Sequence, residues 1–176
     1  MPGEKKYLFD SDGLITARTR CYQPAFGEAF WSWLDAGHAA GNFFSVDKVR
    51  EELLAGNQQP SPFKMWVDRP ELATFFAESA SSIAKWGVLS AWANAADRKY
   101  SQAAKNKFLH PDSADAWLIA KAAQLTGFKV VTLEVPSPES VNVIKLPDAA
   151  TALGVETISL WDCLGLHAGA NFKFVP

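Results

Sequence analysis

The sequence predicts an α/β fold, a single three-layer α/β/α domain over residues 1–176 with a mostly parallel central sheet and a helical mid-section at about 60–108. Three observations predict it. Short apolar runs, Tyr7-Leu8-Phe9 and Phe128-Lys129-Val130-Val131-Thr132-Leu133, each stop at an acid, as buried strands do when they deliver polar groups to a sheet edge. Between these runs, apolar residues recur at helical spacing. Strands alternating with helices imply parallel pairing, with helices covering both faces.

Each element follows from its residues. Tyr7-Leu8-Phe9 is the first strand, ending in Asp10-Ser11-Asp12-Gly13. Gln23-Pro24 opens a helix, with proline in a tolerated first-turn position. Phe26, Phe30, Trp33 and Leu34 follow at helical spacing, and the segment between Gly37 and Gly41 ends it. Asn42-Phe43-Phe44-Ser45 reads as a second strand, and Ser45 as the cap of a helix carrying Val46, Val49 and Leu53. Pro60-Ser61-Pro62 is a turn. From Phe63 to about Ala96 the spacing is mostly helical, with breaks at Arg69-Pro70 and Gly87.

Ser113 caps a further helix containing Trp117, Leu118, Ala122 and Leu125, with Gly127 suited to the position after its end. Residues 128–133 form the best strand of the chain, followed directly by Glu134. Pro147 begins a short helix, and Thr157-Ile158-Ser159-Leu160 reads as the last strand.

Apolar residues are 48% of the chain and charged residues 20%, which excludes wholesale disorder. Seven tryptophans belong mainly to packing at helical spacing. The net charge of −2 excludes a protein that grips nucleic acid through many phosphate contacts. Local basic groups such as Arg18/Arg20, Lys48/Arg50 and Arg98/Lys99 would have to suffice. Cys21 and Cys163 form no CxxC pair, residues 1–6 are polar, and no run approaches the ~20 apolar residues of a membrane span. The expectation is a cytoplasmic protein with no membrane partner.

The acids carry the chemistry. Asp10 and Glu134 each follow a strand, and the carboxyl ends of parallel strands form the crevice where ligands bind. Asp115 lies in a first helical turn, and Glu52 flanks the apolar face of its helix more closely than Glu51 does. Two such carboxylates ~5 Å apart, at an effective dielectric of ~20, repel by roughly 3 kcal/mol. Some must protonate, or hard cations must neutralise them. Oxygen-only donors suit Mg²⁺ or Mn²⁺, and His38, His110 and His167 are too isolated to suggest zinc. Each acid also has a plain alternative: a helix-dipole partner for Asp115, a solvated helix residue for Glu52, a loop residue for Glu134.

Tyr7-Leu8-Phe9-Asp10-Ser11-Asp12-Gly13-Leu14-Ile15 resembles the opening strand and acid of PIN domains. Val49-Arg50-Glu51-Glu52-Leu53, Ala114-Asp115-Ala116-Trp117-Leu118-Ile119-Ala120 and Val130-Val131-Thr132-Leu133-Glu134 resemble the next three acidic motifs in order. Phe30-Trp31-Ser32-Trp33-Leu34 and Ile144-Lys145-Leu146-Pro147-Asp148 are similar to a PIN-like branch, the DUF4411 family. The resemblance implies a VapC-toxin-like endoribonuclease that holds two divalent ions through Asp10, Glu52, Asp115 and Glu134. Asp12, Ser11 and Thr132 are further candidates at the site, and Asp12 departs from the usual Asn or Ser. It also implies an RNA substrate and a cognate antitoxin protein, and leaves a homodimer open.

Two rivals stand beside this reading. Asp10 and Asp12 also resemble the first motif of haloacid-dehalogenase-type phosphatases, but the late paired acids of that family are missing. A catalytically inactive module that binds a partner through its aromatic helices is the non-enzymatic alternative.

Overall fold

A computed structural model describes residues 5–55 and 59–176; Met1–Glu4 of the polar N-terminal segment lie outside them. Five strands form one sheet in the order β3-β2-β1-β4-β5, and every pairing is parallel. They are β1 (Lys6–Phe9), β2 (Phe43–Val46), β3 (Phe76–Ala77), β4 (Phe128–Val131) and β5 (Thr157–Ile158). Tyr7 aligns with Phe43 on one side of β1 and with Lys129 on the other. The chain therefore winds outward from β1 through β2 to β3, then crosses back to β4 and winds the other way. β1 and β4 flank the switch point, where the connections leave in opposite directions and a crevice opens beyond the strand ends.

The layers follow from the pleat, which sends alternate side chains to opposite faces. Tyr7, Phe9 and Phe43 share one face, where the rings of Phe9 and Phe43 stand 5.0 Å apart. Helix α2 (Glu28–Ala39) covers this face, with Trp33 against Phe9 and Phe43. The Trp33 indole donates to the carbonyl of His167 at the end of α9 (Leu160–His167), tying two helices over the sheet. On the other face α7 (Ala114–Leu125) lies against β4 and β2, and α5 (Ile83–Ala93) packs on α7. Leu118, Ile119 and Ala120 are buried there. The result is the three-layer α/β/α architecture.

Several boundaries differ from the sequence expectation. The first strand ends at Phe9, and Ser11-Asp12-Gly13 belong not to its end but to α1 (Ser11–Thr16), which continues as a π-helical stretch over Ala17–Cys21. Helix α2 begins at Glu28 rather than at Pro24, and Phe26 stays 74% exposed in the preceding turn. Ser45 caps nothing; its hydroxyl donates to the Phe9 carbonyl at 2.6 Å and stitches β2 to β1. Val46 therefore ends the strand, and α3 runs over Asp47–Leu54.

The mid-section is less helical than its composition suggests. Ser61 caps α4 (Pro62–Val67), a 3₁₀ turn follows at Pro70–Ala73, and β3 pairs Phe76 with Ser45. A two-residue edge strand leaves no period-2 signal to read. Gly87 does not break α5, which runs through it without interruption. Helix α6 (Gln102–Phe108) is capped by Ser101.

Strand β4 stops at Val131, three residues before Glu134. Pro147 sits in the first turn of α8 (Leu146–Ala152), as expected. The last strand is only Thr157–Ile158, since the Ser159 hydroxyl accepts from the Asp162 N–H and starts α9. Ser113 makes no side-chain cap. The first N–H of α7 is taken instead by Glu52, which bears on the site.

Candidate functional site

The crevice beyond β1 and β4 is built from the backbone outward. The Asp10 N–H donates to the Val131 carbonyl at 2.9 Å, so the ladder runs one residue past β1 and fixes the carboxylate over the switch point. Asp10 is 2% exposed. Its Oδ2 accepts from the Thr132 hydroxyl at 2.9 Å, while Oδ1 is buried with no hydrogen-bond partner. The same hydroxyl accepts from the Glu134 N–H at 3.1 Å. Thr132 therefore links the first acid to the segment that carries the last.

Glu52, on α3, is held at both oxygens. Oε2 accepts from the Ser11 hydroxyl at 2.6 Å, and Oε1 accepts from the Ala114 N–H at 3.0 Å. One carboxylate thus ties α3 to α1 and caps α7. Glu134 is held in a comparable way by different donors. Its Oε2 accepts from the Leu146 N–H at 2.9 Å, and Oε1 stands 3.4 Å from the Lys145 ammonium. Asp115, in the first turn of α7, accepts no hydrogen bond from another described residue, and neither does the exposed Asp12 on α1.

Electrostatics shows that these acids share one field. Burial pushes Asp10 well above the usual carboxylate range; the charges of Asp115, Asp12 and Glu52 push the same way, and the Thr132 hydrogen bond pulls it down. Asp115 rises to about 7, through burial first and then through Glu52 and Glu134, with Lys107 of α6 opposing. The structure thus brings Asp10, Asp12, Glu52 and Asp115 into one electrostatic field, which Glu134 joins through Asp115, with Ser11 bound to Glu52 and Thr132 to Asp10.

Among the described residues, however, no three His, Cys, Asp or Glu side chains stand close enough together, as placed, to hold an ion. The fit to a hard cation lies in the donors. All are oxygens, no cation offsets the charges acting on Asp10, and its buried Oδ1 has no hydrogen-bond partner among the described residues. Asp115 and Asp12 have no hydrogen bond to break in turning toward an ion.

Two residues of the site were not assigned by sequence. Lys145 reaches Glu134, and Lys107, which pattern alone places on a solvated face, acts on Asp115. The one available signal for Lys145 is its place immediately before Leu146-Pro147 at a helix start. The histidines stay out of the site: His38 bridges the Phe43 carbonyl and Thr74, and His167 is buried between Tyr7 and the Val175 carbonyl. A 480 Å³ cleft lined by Trp31, Trp66, Asp35 and Arg69 contains none of the acids. No helix among the described residues is long and apolar enough to cross a membrane.

The sequence profile of DUF4411, described as a domain of unknown function, matches residues 7–172. The chain belongs to the DUF4411 family. The match takes in every strand from Tyr7 onward and all of the acids of the crevice, so the switch-point site lies within the DUF4411 domain. No curated protein and no solved structure matches the chain significantly.

Proposed function

We propose that this DUF4411 protein is a PIN-like, metal-dependent endoribonuclease that hydrolyses RNA phosphodiester bonds with Mg²⁺ or Mn²⁺. The observation that carries the proposal is the buried, unpartnered Asp10 Oδ1 at the switch point, with the charges of three more carboxylates, Asp115, Asp12 and Glu52, acting on the same side chain. A buried acceptor without a donor is costly, and like charges around it raise the cost. A bound cation removes both penalties at once.

Asp10, Glu52, Asp115 and Glu134 would hold the metal, with Asp12 at the mouth of the crevice. Bound Mg²⁺ or Mn²⁺ supplies Lewis-acid stabilisation of the phosphoryl oxygens and of the attacking and leaving oxygens. The protein supplies orientation. Thr132 turns Asp10 so that one oxygen stays free, and Ser11 and the Ala114 N–H lock the Glu52 carboxylate. The proton that Asp115 holds below about 7 in the metal-free protein would be released as the ion binds.

The resemblance to VapC-like toxins extends the proposal to a toxin whose cognate antitoxin protein blocks the acidic crevice. A reducing cytoplasm suits its two unpaired thiols.

Purified protein assayed against RNA and a generic phosphomonoester, with and without Mg²⁺ or Mn²⁺, tests the reading. RNA cleavage only with the metal is the expected result. Asp10→Asn is expected to lower cleavage by ~100-fold or more while circular dichroism stays native. Undiminished cleavage by that variant would sink the proposal. Monoester hydrolysis alone would select the phosphatase chemistry of Asp10 and Asp12. Inactivity on both substrates, with the fold intact, would select a binding module.

A further inference from the structure

We infer that Lys145 is a built-in cation for the Glu134 half of the acid cluster, so that the crevice takes one divalent ion, on the Asp10 side, rather than two. The inference rests on the metal-dependent reading of the site and narrows it.

The carboxylates differ in what holds their oxygens. Both Glu134 oxygens are engaged, one of them by a cation: the Lys145 ammonium stands 3.4 Å from Oε1, and the Leu146 N–H donates to Oε2 at 2.9 Å. The two donors come from consecutive residues, the N-cap and the first residue of α8. The Lys145 and Glu134 side chains keep only 32% and 24% of their exposure, so solvent screens the pair far less than it screens a surface ion pair.

Positive charge is distributed unevenly over the cluster. Lys107 acts on Asp115 and Lys145 on Glu134, and these two acids are neighbours in each other's field. Among the described residues, no ammonium acts on Asp10. Glu52 is held by a hydroxyl and a backbone N–H, both neutral donors. Asp10 receives one hydroxyl and keeps Oδ1 bare, and Asp12 accepts no hydrogen bond. The unmet demand for positive charge is therefore on the Asp10 side.

A second divalent ion on Glu134 would have to displace the ammonium and then stand beside it, with like charges opposed in a half-buried setting. The ammonium already does part of what such an ion would do. It is a compact point charge with three donors, a recurrent partner of phosphate oxygens. Lys145 is thus placed to meet negative charge on the substrate phosphate next to the single metal.

Titration of the full chain with Mn²⁺ alone, by calorimetry with electron paramagnetic resonance of the bound ion, tests this. The wild-type protein is expected to bind one Mn²⁺ per chain, with no spin coupling between ions. Lys145→Met, which keeps the length of the side chain and removes its charge, is expected to bind two; Lys145→Gln is the second variant should Met disturb the fold. Lys145→Arg is expected to keep one. Asp10→Asn is expected to weaken the first ion by ~100-fold, and Glu134→Gln by less than ~10-fold.

Two Mn²⁺ on the wild-type chain would overturn the inference and leave the metal-dependent reading standing. One ion in both wild type and the neutral variants, at equal affinity, would overturn it as well. No Mn²⁺ binding at all would sink the metal-dependent reading itself.

Discussion

Asp115 shows how a single side chain registers its surroundings. Its carboxyl lies near 7 instead of the ordinary 3.8, so between these values the folded protein binds a proton that the unfolded chain does not. The stability this lends is complete below about pH 4 and is lost as pH rises through 7. Asp10 shifts in the same direction. The melting temperature of the metal-free protein is therefore expected to fall on the order of 5 °C from pH 5 to pH 8. Mn²⁺ is expected to restore it, and Asp115→Asn to flatten the slope; a melting temperature that climbs over this range would contradict the charge arrangement. The cysteines give a second test at this scale. Burial pushes Cys163 to about 12, whereas Cys21 is exposed. Iodoacetamide at pH 8 is expected to modify Cys21 in the native protein and to reach Cys163 only in denaturant, as peptide mapping would show. Rapid native labelling of both thiols would refute the burial of Cys163.

Elements are held in place at a few close approaches that no residue pattern announces. Gly37 is one: a Cβ there would lie 2.0 Å from the Phe43 ring, so the glycine lets α2 settle onto β2. Gly37→Ala is expected to destabilise the fold by about 1–3 kcal/mol through overpacking, read as a lowered denaturant midpoint. An unchanged midpoint would mean that the helix shifts at no cost. Glu52 is the second such point. Sequence periodicity places it beside the buried face of α3, but its acceptance of the Ala114 N–H, which caps a helix 62 residues away, needs the packed structure. Ser45 and Ser113 illustrate the converse. Both have the residue type of a cap, and tertiary hydrogen bonding displaced them, Ser45 toward the Phe9 carbonyl and Ser113 in favour of Glu52.

At the scale of the whole molecule, aromatic packing joins the layers. Trp33 is 1% exposed, touches the rings of Phe9, Phe30 and Phe43, and donates to the His167 carbonyl at 2.8 Å. Trp33→Ala is expected to cost about 3–5 kcal/mol, and Trp33→Phe less, because the His167 carbonyl keeps its hydrogen bond from the Val175 N–H when the indole donor is lost. Urea unfolding would measure both, and a loss under ~1 kcal/mol for the alanine variant would place the centre of the core elsewhere. The sequence by itself determined the alternation of strands and helices, the parallel sheet and the position of Asp10 at a strand end. Periodicity and residue type are local, and they act within a few residues of where they are read. Only the tertiary structure decided the switch point, the shared field of the acids and the pairing of Lys145 with Glu134. These depend on strand order and on contacts between distant segments, which local pattern does not encode.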